Sequence, residues 1–203
     1  MISFRQLYYS IYRRLTYIKR KLTLAEFGHK SLIFKPLYIM GGGKIHIGNN
    51  VIVGYKGWLA AMPHTGEQDC SLTIGDRCHI GSFNEIYAVG KIIIESDVLT
   101  ADRVYISDNL HGYEDIDTPV FKQPIKHTGG VRIGEGSWLG VGVSVIGANI
   151  GKHCVIGANA VVNRDIPDYC VAVGVPAKIV KRYNPKTRKW EKTAPDGSFL
   201  TNH

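Results

Sequence analysis

The side chains able to move a proton or attack a carbonyl are eight histidines and four cysteines. His111 stands out among them, at the end of Ser107-Asp108-Asn109-Leu110-His111 and immediately before a long polar stretch. An imidazole titrates near neutrality, so it can take a proton from an attacking hydroxyl or amine and hand it to a leaving group. His64 and His127 belong to polar stretches too and can line an acceptor site. Cys70, Cys78, Cys154 and Cys170 show neither a CxxC nor a paired metal spacing. The first thirty residues lack the apolar run of an export signal, so reduced thiols and no metal are expected. The glycines give no phosphate loop and no dinucleotide fingerprint.

The elements that hold these residues follow a period of six. Counting from Ile74 gives Ile74, Ile80, Ile86, Ile92, Val98, Val104 and Leu110, all aliphatic. Ile47, Val53 and Leu59 keep the step upstream. Ile133, Leu139 and Val145 keep it downstream, slip one residue near Gly147, and resume as Ile150, Ile156 and Val162. Glycine often follows the marked residue, as at Gly48, Gly75, Gly81, Gly134 and Gly151. Neither an amphipathic helix nor a long flat strand recurs every six residues. A coil of short strands does, each unit making one side with its marked aliphatic turned inward. Positions four further on are small, among them Cys78, Asn84, Gly90, Ser137, Cys154 and Ala160, which suits a narrow interior. His79 and His153 fall at outward, solvated positions.

The period breaks at residues 60–71 and 111–130, two polar insertions leaving a rigid scaffold, where function usually sits. Upstream, Phe4, Tyr8, Ile11, Leu15, Ile18 and Leu22 are spaced as one face of an amphipathic helix with a basic opposite face. That face either packs on the coil or a neighbouring subunit, or lies on an anionic membrane surface. The expected organisation is residues 1–30 as the basic helix, 31–180 as the coil, and 181–203 as a basic tail ending in disorder. The formal charge of +8 does not call for nucleic acid, because no basic stripe is interleaved with aromatics.

The run Val131-Arg132-Ile133-Gly134-Glu135-Gly136-Ser137-Trp138-Leu139-Gly140 resembles the hexapeptide-repeat acyltransferases. So do Ile156-Gly157-Ala158-Asn159-Ala160-Val161-Val162-Asn163-Arg164-Asp165-Ile166-Pro167 and Val173-Gly174-Val175-Pro176-Ala177-Lys178. The resemblance implies an all-β fold, a left-handed parallel β-helix. It also implies homotrimers, with acetyl-CoA in a groove between subunits. It makes His111 the general base and sets Trp138 beside the active site, with a backbone N–H near Gly140 or Val141 facing the thioester carbonyl. Ala158, Asn163 and Arg164 match positions along the pantetheine arm, and Lys178, Lys181 and Arg182 can meet the 3′-phosphate. Phe83-Asn84 resembles the pair of the galactoside and maltose acetyltransferases whose asparagine reaches the acceptor; an interior polar position explains Asn84 equally well. Glu85, Asp108, Glu114 and Asp115 are candidate partners for the imidazole.

The implied activity is acetyl-CoA-dependent O-acetylation of a sugar hydroxyl in bacterial surface polysaccharide, the acceptor lipid-linked in one version. Transfer would be direct, since no Ser or Cys beside His111 forms a nucleophile motif. A cytoplasmic enzyme, peripheral at the inner membrane face through residues 1–25, follows from the same analogy. The rivals are an amino-sugar or antibiotic N-acetyltransferase, a zinc-dependent carbonic anhydrase on the same fold, and a non-catalytic scaffold.

Overall fold

The computed structural model describes residues 4–65 and 69–200, with side chains from Leu7 onward. Phe4 of the helix stripe, and Gly66, Glu67 and Gln68 of the first insertion, therefore lie outside the described side chains. After helix α1 (Phe4–Thr23), the chain visits three sheets in rotation. Sheet one holds Glu26–Phe27, Ile45–Ile47, Ser71–Ile74, Lys91–Ile94 and Val131–Ile133. Sheet two begins with Leu32–Ile33, Ile52–Val53, His79–Ile80, Leu99–Thr100, Trp138–Leu139, Val155–Ile156 and Cys170–Val173. Sheet three holds Tyr38–Met40, Trp58–Ala61, Glu85–Ala88, Tyr105–Ser107, Ser144–Ile146 and Val161–Val162. Within each of these runs, neighbouring strands pair in parallel.

The marked aliphatics fill the interior. Ile47, Ile74, Ile80, Ile86, Ile92, Val98 and Val104 are buried, in one continuous core. Each side offers two inward positions, seen in Ile92 and Ile94 or Val104 and Ile106, and a count of six passes from one to the other. Coil length varies as a result. Ile74 pairs with Ile94, twenty residues on, whereas Ile133 bridges Ile150, seventeen on. Leu110 departs from the expectation: it is half exposed and belongs to a hairpin outside the coil.

All three breaks in the repeat lie at one corner, between sheet three and sheet one. Residues 62–70, 108–130 and 147–149 each join a strand of the former to the latter. The slip at Gly147 has a local cause. Its φ is +57, and an added Cβ would lie 2.4 Å from Thr128 Oγ1, at the returning end of the long insertion. Glycine is the residue that takes this conformation without steric cost.

Helix α1 packs through tyrosines. Tyr9 and Tyr12 lie 4.8 and 5.2 Å from the Phe34 ring, and Tyr17 lies 5.6 Å from Phe27. Of the apolar stripe anticipated in the sequence, Tyr8 lies 6.2 Å from the Phe34 ring whereas Ile11, Leu15, Ile18 and Leu22 are exposed, and the face on the coil carries Arg13 and Arg20 partly buried beside the tyrosines rather than solvated. As far as Leu200 the C-terminal segment is also more ordered than its composition suggests, while residues 201–203 of the expected tail lie outside the described residues. Lys178–Asn184 and Lys189–Lys192 form a hairpin that extends sheet two antiparallel, and Thr193 bridges Phe199. All four cysteines are free and buried.

Candidate active site

The long insertion leaves and re-enters the coil as an antiparallel hairpin, Asn109–His111 against Ile125–His127. Its root is fixed by Asp108, which is fully buried. One carboxylate oxygen accepts the Val89 N–H at 2.8 Å and the other the Gly90 N–H at 2.9 Å. The Thr128 N–H donates to the Asp108 carbonyl at 2.8 Å, closing the far end. His127 Nε2 lies 3.6 Å from the Asp108 carboxylate, its ring against Gly90, where an added Cβ would sit 2.3 Å away. His127 thus packs at the hairpin root.

His111 lies at the other end of its strand and lines a cleft of about 370 Å³ with Trp58, Glu85, Tyr87, Tyr105 and Asn109. The register of sheet three explains this company. Tyr38, Trp58, Glu85, Tyr105, Ser144 and Val161 are successive partners, so their side chains form one outward column along the stack. Tyr87 stands in the next outward column, its ring 6.0 Å from Trp58 and edge-on to it. Burial raises the Tyr87 phenol above its ordinary value, keeping it neutral. His64 stacks on Tyr87 and bonds its hydroxyl at 2.7 Å, so the first insertion touches the cleft through that ring.

Of the four carboxylates considered for His111, Glu85 alone lines the cleft. Asp108 holds the hairpin root, Glu114 pairs with Lys126, and Asp115 accepts the Asp117 N–H at 2.9 Å. Trp58, Tyr87 and Tyr105 were missed in the sequence. Their signal was their position beside Leu59, Ile86 and Ile106 on one side of the coil, visible once the sides are told apart.

Asn84 is inside the coil. It is fully buried, donates to the Ala101 carbonyl at 2.8 Å and accepts from Thr100 Oγ1 at 2.8 Å. That is the interior alternative, because a buried amide needs partners and finds them across the next coil. The Gly140 N–H is likewise taken, by the Ile156 carbonyl at 2.8 Å. The Val141 N–H has no acceptor among the described residues. Trp138 is half exposed on sheet two, in register with Val155, Val171 and Lys181. Ala158 is exposed and abuts Gly140, its N 2.7 Å from where a Gly140 Cβ would be. Asn163 and Arg164 are exposed beyond the last strand of sheet three. Lys178 and Lys181 are exposed on the closing hairpin, whereas Arg182 lines a separate groove with His153 and Tyr169. Trp138 and His111 therefore stand on different sheets of one chain.

A family model described as hexapeptide repeat of succinyl-transferase matches residues 130–164. The chain is 33% identical over 178 residues to the putative lipopolysaccharide biosynthesis O-acetyl transferase WbbJ of Escherichia coli, covering 84% of this chain and 88% of that one. It belongs to the hexapeptide-repeat acetyltransferases. A probable acetyltransferase of Mycobacterium tuberculosis, Rv3034c, is 42% identical over 158 residues, which are 77% of this chain and 49% of that protein. The chain thus spans about half the length of that relative. In fold, this acetyltransferase is similar to a mutant of AntD, an N-acyltransferase from Bacillus cereus, in complex with dTDP and coenzyme A. The TM-score is 0.70 at 23% identity, covering 84% of this chain and 90% of AntD.

For an acetyltransferase, the cysteine environments are informative. Burial pushes the Cys78 and Cys154 thiols up to about 11, and each sulfur donates to a backbone carbonyl of the next coil. These are packed thiols, unfit to attack a thioester at neutral pH.

Proposed function

We propose that this chain is an acetyl-CoA-dependent O-acetyltransferase acting on a sugar hydroxyl, with His111 as general base. The observation that carries the reading is the company His111 keeps: three aromatic rings and Glu85, a carboxylate with no ion-pair partner among the described residues. Aromatic faces suit the apolar C–H faces of a pyranose, and a carboxylate accepts hydrogen bonds from its hydroxyls. Ligand sites are built this way, mostly apolar with a few placed polar groups.

In this reading His111 removes the proton of the bound hydroxyl as its oxygen attacks the thioester carbonyl, and the proton then goes to the departing thiolate. The free Val141 N–H supplies a donor for the developing oxyanion. Ala158, Asn163 and Arg164 run along the pantetheine arm, and Lys178, Lys181 and Arg182 are available to the 3′-phosphate. Acetyl-CoA supplies the activated acetyl group and nothing else.

We read the fold as a left-handed parallel β-helix and the working enzyme as a homotrimer. The site residues fall into two groups on different sides: His111 with the cleft on sheet three, and Trp138, Val141, Ala158 and Lys181 on or beside sheet two. A site assembled between copies unites them. The acceptor class we favour is a bacterial surface saccharide, lipid-linked at the cytoplasmic face of the inner membrane, since the Escherichia coli relative is named for lipopolysaccharide biosynthesis. The test is thiol release from acetyl-CoA across mono- and oligosaccharides. Release dependent on a neutral sugar supports the reading. Release only with amino sugars, falling as pH drops below the amine pKa, overturns it in favour of N-acetylation.

A further inference from the structure

Helix α1 has two unlike faces, and only one is used by its own chain. At about 100° per residue, Tyr9, Arg13, Thr16, Tyr17 and Arg20 share the side turned to the coil, and all are partly buried. Leu7, Ile11, Leu15, Ile18 and Leu22 fall within about 80° of arc on the side turned away. Leu7 and Ile11 are half exposed, Leu15 is 76% exposed, Ile18 68% and Leu22 80%, so five aliphatic side chains over four turns face outward, the last three largely uncovered by the described residues.

The borders of this stripe identify its partner. Arg14 and Lys21 flank one edge and Lys19 the other, all exposed. The helix holds six basic residues and no acidic one. A second copy laid on the same stripe would bring these cations against their own kind, with no carboxylate on either helix to answer them. An anionic lipid surface answers both features at once: the aliphatics enter the acyl boundary while the long basic side chains reach up to the headgroups. Among the described residues no helix is long and apolar enough to cross a membrane, so the stripe can lie on the surface but not span it.

We propose that the outward face of α1 is a lipid-surface anchor that lies in the headgroup boundary of an anionic membrane. The tyrosine face holds the helix to the first coil, so the anchor is rigidly joined to the body instead of hanging on a linker. The inference rests on the helix alone and stands whether or not the acceptor is a saccharide.

The experiment is co-flotation of the full chain with vesicles of phosphatidylcholine containing one third phosphatidylglycerol, beside vesicles of phosphatidylcholine alone. Binding to the anionic vesicles is expected, and it should weaken with salt. The double variant Leu15→Asp, Ile18→Asp should lose about tenfold or more in binding, and so should Arg14→Glu, Lys19→Glu, Lys21→Glu, with unchanged melting temperature because none of these side chains is buried. Equal flotation with both vesicle types, no flotation, or undiminished binding by the Leu15, Ile18 variant would overturn the anchor. A change in oligomeric mass of that variant with vesicle binding intact would overturn it too, and would assign the stripe to a second copy.

Discussion

Removal of Asp108 should destabilise the root of the His111 hairpin sharply. It is fully buried at the root of the His111 hairpin and accepts the Val89 and Gly90 N–H groups at 2.8 and 2.9 Å, one on each oxygen. Hydrogen bonds to an ionised group contribute about 1.5–3 kcal/mol each. Replacing Asp108 with Ala removes both and leaves two buried amide groups without acceptors. The two losses share a partner and do not add in full, so we expect about 3–5 kcal/mol of destabilisation. For a chain of this length, that lowers the melting temperature by about 10 °C. Asp108→Asn keeps one acceptor oxygen but turns an NH2 toward the other amide, so it should fall between Ala and wild type. Thermal unfolding of the three proteins by circular dichroism checks the order. Turnover measured below the transition should fall as well, because the hairpin that carries His111 loses its root. An Asp108→Ala protein melting within about 2 °C of wild type, well short of the shift just worked out, would refute the argument that this carboxylate anchors the insertion.

Other expectations follow from the same geometry. Gly81→Ala would put a Cβ 2.3 Å from the Ala101 carbonyl oxygen and 2.8 Å from the Asp102 N, backbone atoms of the next coil that cannot step aside. A loss of about 2–3 kcal/mol in denaturant unfolding is expected. Lys126, hydrogen-bonded to Glu114, holds that carboxyl down at about 2. Its ordering of the exposed insertion is therefore present above an unfolded value of about 4.3 and is lost as pH falls toward 2, which an NMR titration of the Glu114 carboxyl would follow. Glu85→Gln and Trp58→Ala should raise the KM for the acceptor about tenfold while leaving the KM for acetyl-CoA near wild type. The reverse pattern would remove both residues from the acceptor side.

The coil was legible because its period comes from burial. One inward aliphatic per side must recur wherever short strands stack, and Ile74, Ile80, Ile86 and their successors do recur. The insertions were legible because polar residues interrupt that burial. Coil length was not, since two inward positions per side let a count of six pass over a corner unnoticed. Which face of α1 meets the coil was left open for a related reason. The aliphatic stripe had the better periodicity, yet tyrosines supply the packing on Phe27 and Phe34. Asn84 and Gly140 lost their proposed contacts to hydrogen bonds with the neighbouring coil, and spacing along one coil carries no information about the next. The cleft partners of His111 come from three successive coils, so only the register of sheet three could bring Trp58, Glu85 and Tyr105 to it.

His111 is proposed to do the proton transfer. The direct measurement is acceptor-dependent thiol release from acetyl-CoA by wild type and His111→Ala, with acetyl-CoA binding measured on both proteins. The variant is expected to bind acetyl-CoA as wild type does and to lose about 10²–10⁴-fold in turnover. A variant that still transfers acetyl to the acceptor within a few-fold of wild type would contradict that role.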